Sequence, residues 1–142
     1  MKLQKVFYKI SWLAIFCVGV LIVLTSYWMI KPYNPIVFNE RPFKVLTPEV
    51  RSGDFVVFQI DYCKLNELTP TISRYFIDGL IYATPDILAV KKEAGCSRVD
   101  NSVYVPKALP SGTYFIETTY SYKVNPIRTV DTTVRTEAFI VK

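Results

Sequence analysis

The chain has 142 residues with 17 lysines and arginines, 12 acidic residues and no histidine, giving a formal net charge of +5 at pH 7. The absence of histidine excludes the usual Ser-His and Cys-His catalytic sites and disfavours a transition-metal site. Basic residues beyond the N-terminal lysines are dispersed, with no cluster larger than Lys91-Lys92, so nucleic-acid binding is not expected. We predict no catalytic, cofactor-binding or metal-binding residues, and we expect that the protein is not an enzyme.

An uncharged segment from Ile10 to Ile30 lies between Lys9 and Lys31. At roughly 1.5 Å per residue it forms a helix about 30 Å long, which matches the hydrocarbon thickness of a bilayer. Apolar residues cover all sides of this helix, and aromatic residues cluster near both of its ends, as in a membrane span. We therefore predict one transmembrane helix over residues 10–30, with the lipid bilayer as its partner.

The direction of the span is predicted from its flanking charges. Lys2, Lys5 and Lys9 precede it, whereas only Lys31 follows closely, so residues 1–9 form a cytoplasmic tail and the remainder is exported. A cleaved signal peptide is the competing interpretation, but the run is long for one and its exit lacks a small-x-small cleavage site. A bacterial inner membrane facing the periplasm fits this topology best, and the size and architecture are also compatible with a phage-encoded protein.

Two cysteines, Cys63 and Cys96, lie beyond the predicted span. An even pair in an exported segment favours a structural disulfide, because the compartment is oxidising. A redox function is disfavoured because the pair lacks Cys-x-x-Cys spacing and no histidine is available for activation. We predict a Cys63–Cys96 disulfide.

The exported part is predicted to start with an extended, proline-containing stalk over residues 31–42 and to continue as one domain over residues 43–142. Two segments alternate clearly between apolar and polar residues, as half-buried strands do. They are residues 55–62, with Val56, Phe58, Ile60 and Tyr62 on one face, and residues 114–123, with Tyr114, Ile116, Thr118, Tyr120 and Tyr122 on one face. Further strands are predicted over residues 43–46, 72–77, 102–105 and 132–141. Residues 80–83 and 87–90 flank Thr84-Pro85-Asp86 and are predicted to form a hairpin or, less favoured, a short helix.

Several short strands separated by turn signals predict an all-β, antiparallel β-sandwich after the single helix. The segment Leu109-Pro110-Ser111-Gly112-Thr113-Tyr114 resembles the tyrosine corner of immunoglobulin-like and fibronectin-III-like domains. In that motif the side chain of a tyrosine at the start of a late strand forms a hydrogen bond with the preceding corner. The resemblance implies an immunoglobulin-like sandwich, but the domain lacks a core tryptophan and Cys96 precedes the corner.

These features lead to a functional hypothesis of protein contact. The chain is interpreted as a single-pass membrane protein that displays a small sandwich to a protein partner, or as an accessory subunit of an envelope complex. An envelope enzyme or small-ligand-binding protein with an unconventional site is the alternative. Sandwich folds place recognition in loops at their ends, so the candidate contact residues lie in two loops. They are Tyr82 to Asp86 in one loop and Asn125, Pro126, Ile127 and Arg128 in the other.

Overall fold

The computed structural model describes residues 2–31, 33–89 and 93–142, which contain one helix and eleven strands. The helix, α1, spans Lys2–Ile30. The strands are β1 Ile36–Phe38, β2 Lys44–Val45, β3 Glu49–Val50, β4 Phe55–Lys64, β5 Thr71–Ile77, β6 Ile81–Ala83, β7 Ile87–Leu88, β8 Gly95–Tyr104, β9 Gly112–Asn125, β10 Arg128–Arg135 and β11 Phe139–Val141.

Helix α1 contains the apolar segment Phe7–Ile30, whose mean hydropathy is 2.4. No part of this segment is buried within the protein. Its length and composition fit a membrane span, and an N-terminal signal sequence has the same properties. Both tryptophans, Trp12 and Trp28, belong to this helix.

The strands form two open sheets. In the first sheet β4 pairs antiparallel with β1, β2 and β8. The second has the order β3-β11-β9-β5-β6, with β7 also pairing with β5 and β10 with β9. The β11–β3 pair is parallel. The prediction of a β-rich domain after one apolar helix is confirmed, and the immunoglobulin-like arrangement stays a prediction.

The hydrophobic core is contributed by the inward faces of both sheets, as strand alternation requires. Val56, Phe58 and Ile60 of β4 are buried, as predicted. The predicted inward face of β9 is buried along its whole length, from Tyr114 to Tyr122. Rings from the two sheets meet directly, with the centroids of Phe38 and Tyr120 5.2 Å apart.

The N-terminal edge of the domain differs from the predicted stalk. Residues Ile36–Phe38 form β1, which pairs with Tyr62–Lys64 of β4. Pro35, Ile36 and Phe38 are buried. The folded domain therefore includes part of the segment 31–42, which was predicted to be an extended stalk because of its prolines. The prolines are compatible with this strand because none of them lies within it.

Three other segments differ from the predicted strands. Strand β8 begins at Gly95, seven residues before the predicted start. The final predicted strand is two strands, β10 and β11, which both pair with β9. The 80–90 region is not a hairpin of its own, because β6 and β7 pair with β5 and not with each other. Val90 lies outside the described residues.

The predicted disulfide between Cys63 and Cys96 is present. These residues are direct partners in the β4–β8 ladder. The bond encloses the chain that forms β5, β6 and β7 between its two ends. The disulfide therefore links two paired strands of the first sheet. The chain between the two cysteines contributes three strands to the second sheet.

The chain divides into two compact units. One comprises α1 with the hairpin tip Asn125–Arg128, and the other comprises the rest of the β domain. The core and the cavity described below belong to the second unit.

Candidate functional site

The corner before β9 has the hydrogen bond that the sequence resemblance implies. The Tyr114 hydroxyl donates to the carbonyl oxygen of Pro110 at 3.0 Å, and the Tyr114 side chain is fully buried. Burial, with Asp78 nearby, raises the pKa of Tyr114 to about 12, and burial also raises the pKa of Tyr122 to about 12. This corner anchors β9, whose inward residues line the cavity described below.

We expect the domain to lose stability between about pH 10 and pH 12. A buried phenol whose pKa is raised stabilises the fold while it is protonated, so its contribution is complete below the unfolded pKa near 10 and is lost as the pH rises through about 12. Tyr114→Phe should lower the free energy of unfolding by about 1 kcal/mol at pH 8 and make its fall above pH 10 shallower. Guanidinium unfolding of the full chain in nanodiscs, followed by near-ultraviolet circular dichroism, measures both effects. An unchanged alkaline slope would contradict this role of Tyr114.

The predicted contact loop at Tyr82 to Asp86 connects two short strands at the edge of the second sheet. Asp86 is exposed, whereas Tyr82 is half-buried and packs edge-on against Tyr114 with ring centroids 6.1 Å apart. Tyr82 is thus partly a core residue. The large apolar side chains on either side of the loop are exposed: Leu80 66%, Ile81 71%, Ile87 43% and Leu88 78%. Sequence reasoning did not single out these four, because it treated them as strand interiors.

The second predicted loop is the tip of the β9–β10 hairpin and belongs to the compact unit that contains α1. Asn125 donates to the Trp28 carbonyl at 3.2 Å, and Arg128 donates to the Lys31 carbonyl at 2.6 Å. Pro126 is exposed, and Ile127 is 53% exposed. The polar side chains of this loop are therefore engaged within their own unit, and its apolar tip is open.

A cavity of about 140 Å³ lies between the inward faces of the two sheets. Seven of its lining residues are apolar, and five carry polar groups. The lining consists of Ile36, Phe38, Ile60, Pro70, Ile72, Ala89 and Val99 together with Tyr62, Lys64, Asn101, Tyr120 and Tyr122. An apolar cavity of about 150 Å³ can accommodate benzene, so this one is large enough for a small organic ligand.

Two buried basic residues point into the domain. Lys64, at the end of β4, is 6% exposed, and Arg74, in the middle of β5, is 9% exposed. No acidic side chain of the described residues is buried. Burial lowers the pKa of Arg74, and the nearby Tyr120 acts in the opposite direction. Both buried charged side chains of the described residues are therefore basic.

Two buried polar atoms lack a hydrogen-bond partner among the described residues. They are Arg74 Nε and Thr118 Oγ1, which belong to directly paired residues of β5 and β9. A buried polar group without a partner destabilises a fold by about 1–3 kcal/mol, so such groups are uncommon in interiors. Two such atoms on neighbouring residues mean that hydrogen bonding is incomplete in this part of the interior.

Thr118→Val should raise the free energy of unfolding by about 1 kcal/mol, because valine keeps the shape and removes the unpartnered hydroxyl. Thr136→Val is the matched control. The Thr136 hydroxyl is also buried, but it accepts from the Ile116 amide at 2.9 Å and donates to the Glu137 carbonyl at 2.8 Å. The free energy of unfolding of this control variant should therefore fall by about 1–3 kcal/mol. Guanidinium unfolding of both variants tests the contrast, and equal changes would contradict it.

Charged groups on the outer faces form ordinary surface networks. Asp61 accepts from Asn39 at 2.7 Å and from Arg98 at 2.8 Å, and these hydrogen bonds lower the pKa of Asp61. Within the described ranges, no group of three His, Cys, Asp or Glu residues is arranged to hold a metal ion. The cavity and the apolar edge around β6 and β7 are thus the two features that point to a ligand or a partner.

No protein family model matches this chain, and no curated protein matches it in sequence. Among solved structures, it is similar to a Niemann-Pick type C2 protein from the Japanese carpenter ant, with 10% identity, a TM-score of 0.46 and coverage of 75% of this chain and 99% of that one. It is also similar to the sporulation control protein Spo0M from Bacillus subtilis, with 8% identity, a TM-score of 0.41 and coverage of 78% and 50%. These likenesses are too weak to assign a family or a ligand.

Proposed function

We propose that this chain is a single-pass membrane protein that displays an exported, immunoglobulin-like β-sandwich to a protein partner in the cell envelope. The observation that carries the proposal is the exposed apolar edge formed by Leu80, Ile81, Ile87 and Leu88 around the loop 82–86. Ile81 pairs with Ile77 at one end of β5, and Leu88 pairs with Thr71 at the other. A partner that lies along this edge would therefore bury apolar side chains at both ends of β5. Catalysis is not part of the proposal.

The anchor rests on the properties of α1. Its apolar segment of 24 residues is fully exposed in the protein, which suits a lipid environment and not a protein core. Phe7 and Tyr8 lie near one end, and Tyr27 and Trp28 lie near the other, where interfacial aromatic residues are favoured. The lysines at the N-terminal end of α1 favour a cytoplasmic N terminus, and the Cys63–Cys96 disulfide fits an oxidising compartment for the β domain.

The contact surface rests on the geometry of the sheet edge. Strand β6 is the last strand in the order of its sheet, and β7 continues along the same side of β5. Edge strands offer backbone hydrogen-bonding groups to another chain, and flanking apolar side chains add buried area. This combination favours a partner that lays an extended segment along β6 and β7.

Topology is tested with a C-terminal tag and an intact mass. We expect protease added outside the inner membrane to remove the tag, and the mass of the mature chain to include that of residues 1–30. A cytoplasmic tag would contradict the orientation. A mass lower by that of the first 30 or so residues would show that α1 is a cleaved signal peptide and not an anchor.

The contact surface is tested with a photo-crosslinking amino acid in place of Ile81 or Leu88 in native membranes. The matched control carries it in place of Ile140, which is 43% exposed on another strand of the same sheet. We expect one discrete crosslinked product from the edge positions, several-fold weaker from the control and reduced by Leu80→Ser. Equal labelling from all three positions would overturn the proposed surface.

A further inference from the structure

We propose that β8 pairs with β8 of a second copy of this chain, antiparallel, so that Arg98 of each copy lies opposite Asp100 of the other. This surface is separate from the apolar edge at β6 and β7. The proposal rests on the open edge of β8, the direction of its backbone groups and the order of its charges.

Strand β8 is a long edge strand. It pairs with β4 over ten residue pairs from Gly95 to Tyr104, and within the described part of the chain it pairs with no other strand. The register continues without a bulge, and the strand contains neither proline nor lysine. Bulges, prolines and lysines are features that prevent an edge strand from pairing with another chain. Without them, the outer edge of β8 is open to a further strand.

The hydrogen bonds of β4 show which backbone groups of β8 face this open edge. In an antiparallel ladder, successive residues direct their N–H and C=O groups to opposite sides of the strand. The Asp61 carbonyl accepts from the amide of Asn39, which follows β1, at 3.0 Å, on the side of β4 away from β8. Arg98, the ladder partner of Asp61, therefore directs its own backbone groups to the open edge, and so does Asp100 two residues further along.

The charges on β8 favour one register with a second copy. When Arg98 lies opposite Asp100 of the copy, these residues exchange backbone hydrogen bonds and opposite charges meet at two places. Val99 then lies opposite itself, so the pair has two-fold symmetry and closes as a dimer. The neighbouring registers with the same backbone directions place Arg98 opposite Arg98 or Asp100 opposite Asp100. Like charges directly opposite each other are destabilising, which disfavours both of those registers.

The contacts of these side chains within one copy are compatible with the pairing. Arg98 donates to Asp61 at 2.8 Å and to Glu40 at 3.4 Å, and 55% of its side chain remains exposed. Asp100 is exposed and accepts from the Gln59 side-chain amide at 3.2 Å. Because β4 and the second copy lie on opposite sides of β8, Arg98 keeps its bond to Asp61 and gains Asp100 of the copy.

Disulfide crosslinking of the full chain in dodecyl maltoside micelles tests the register. Cys17→Ser removes the free cysteine in α1, and Val99→Cys places a thiol on the two-fold axis. Cα atoms of such a directly opposed pair lie about 4.5 Å apart, within disulfide range. Asn101→Cys is the matched control, because residue 101 of one copy lies opposite residue 97 of the other.

We expect mild oxidation to give at least about tenfold more covalent dimer from Val99→Cys than from Asn101→Cys in the same background. Equal crosslinking from the two positions, or no covalent dimer from a folded Val99→Cys variant, would overturn the proposal. Near-ultraviolet circular dichroism identifies a variant that fails to fold.

A charge swap provides a second test, with the dimer fraction measured by native mass spectrometry from micelles. Asp100→Arg and Arg98→Asp should each lower the dimer fraction at least about threefold relative to the unaltered chain, because like charges then meet across the pair. An equal mixture of the two variants should restore it as a heterodimer, since arginine again lies opposite aspartate at both places. Lys44→Glu, at an exposed position of β2, should leave the dimer fraction unchanged. A monomeric unaltered chain, or a mixture no more dimeric than its components, would overturn the proposal.

Discussion

Phe58→Ala is expected to lower the free energy of unfolding by about 3–5 kcal/mol, the largest effect of any single substitution considered. Phe58 is fully buried on β4, and its ring stacks on Phe43 with centroids 6.1 Å apart and an interplanar angle of 8°. Truncation removes this contact and leaves a cavity that the surrounding sheets can fill only in part. Denaturant unfolding in nanodiscs, followed by the tyrosine signal in near-ultraviolet circular dichroism, measures the loss.

Phe55→Ala is the matched control for this substitution. Phe55 lies on the same strand but is 58% exposed, with its ring 5.5 Å from Tyr104. Loss of this surface contact should change the free energy of unfolding by no more than about 1 kcal/mol. If the two variants were equally destabilised, Phe58 would not occupy the centre of the core.

The paired substitution Cys63→Ser and Cys96→Ser is expected to lower the free energy of unfolding by about 3–4 kcal/mol. The cysteines are separated by 33 positions, and opening this loop restores chain entropy to the unfolded state. The β4–β8 ladder extends over ten residue pairs, so the folded state should persist without the bond. Guanidinium unfolding of the full chain, with and without reductant, gives the difference.

Cys17→Ser is the control for the cysteine pair. Cys17 is a free, exposed cysteine in α1, and its replacement should leave the unfolding of the β domain unchanged. The double serine variant should also become insensitive to reductant, whereas the Cys17→Ser variant should respond to reductant like the unaltered chain. An unaltered chain that is equally stable before and after reduction would show that the disulfide contributes little.

The strands that alternate strongly were predictable, because burial on one face fixes the period of two. This is why the inward faces of β4 and β9 follow the sequence pattern residue by residue. Strand β8 also alternates in burial, but its inward side chains include Ser97 and Asn101, and Val103 is its one buried residue. Its hydrophobic pattern is therefore weak, and its length follows from pairing with β4. Strand β1 has three residues, and its position likewise depends on pairing with β4.

The candidate sites were predictable only in part. Thr84-Pro85-Asp86 was predicted to lie between two short strands and does so, whereas Tyr82 belongs to β6. The exposure of the neighbouring apolar side chains depends on β6 and β7 lying at an edge. The cavity depends on the spacing between sheets, which no local pattern encodes. A signal for the lysine in its lining was present, because Lys64 has the same parity as Ile60 on β4.

The break between β6 and β7 limits self-association through the edge of the second sheet. A long, uninterrupted apolar edge would allow copies of the chain to polymerise through it. Here the edge is divided into strands of three and two residues, separated by a segment that contains Pro85, which has no amide hydrogen. A neighbouring copy therefore finds only two short segments with which to pair, and this disfavours polymerisation through the edge.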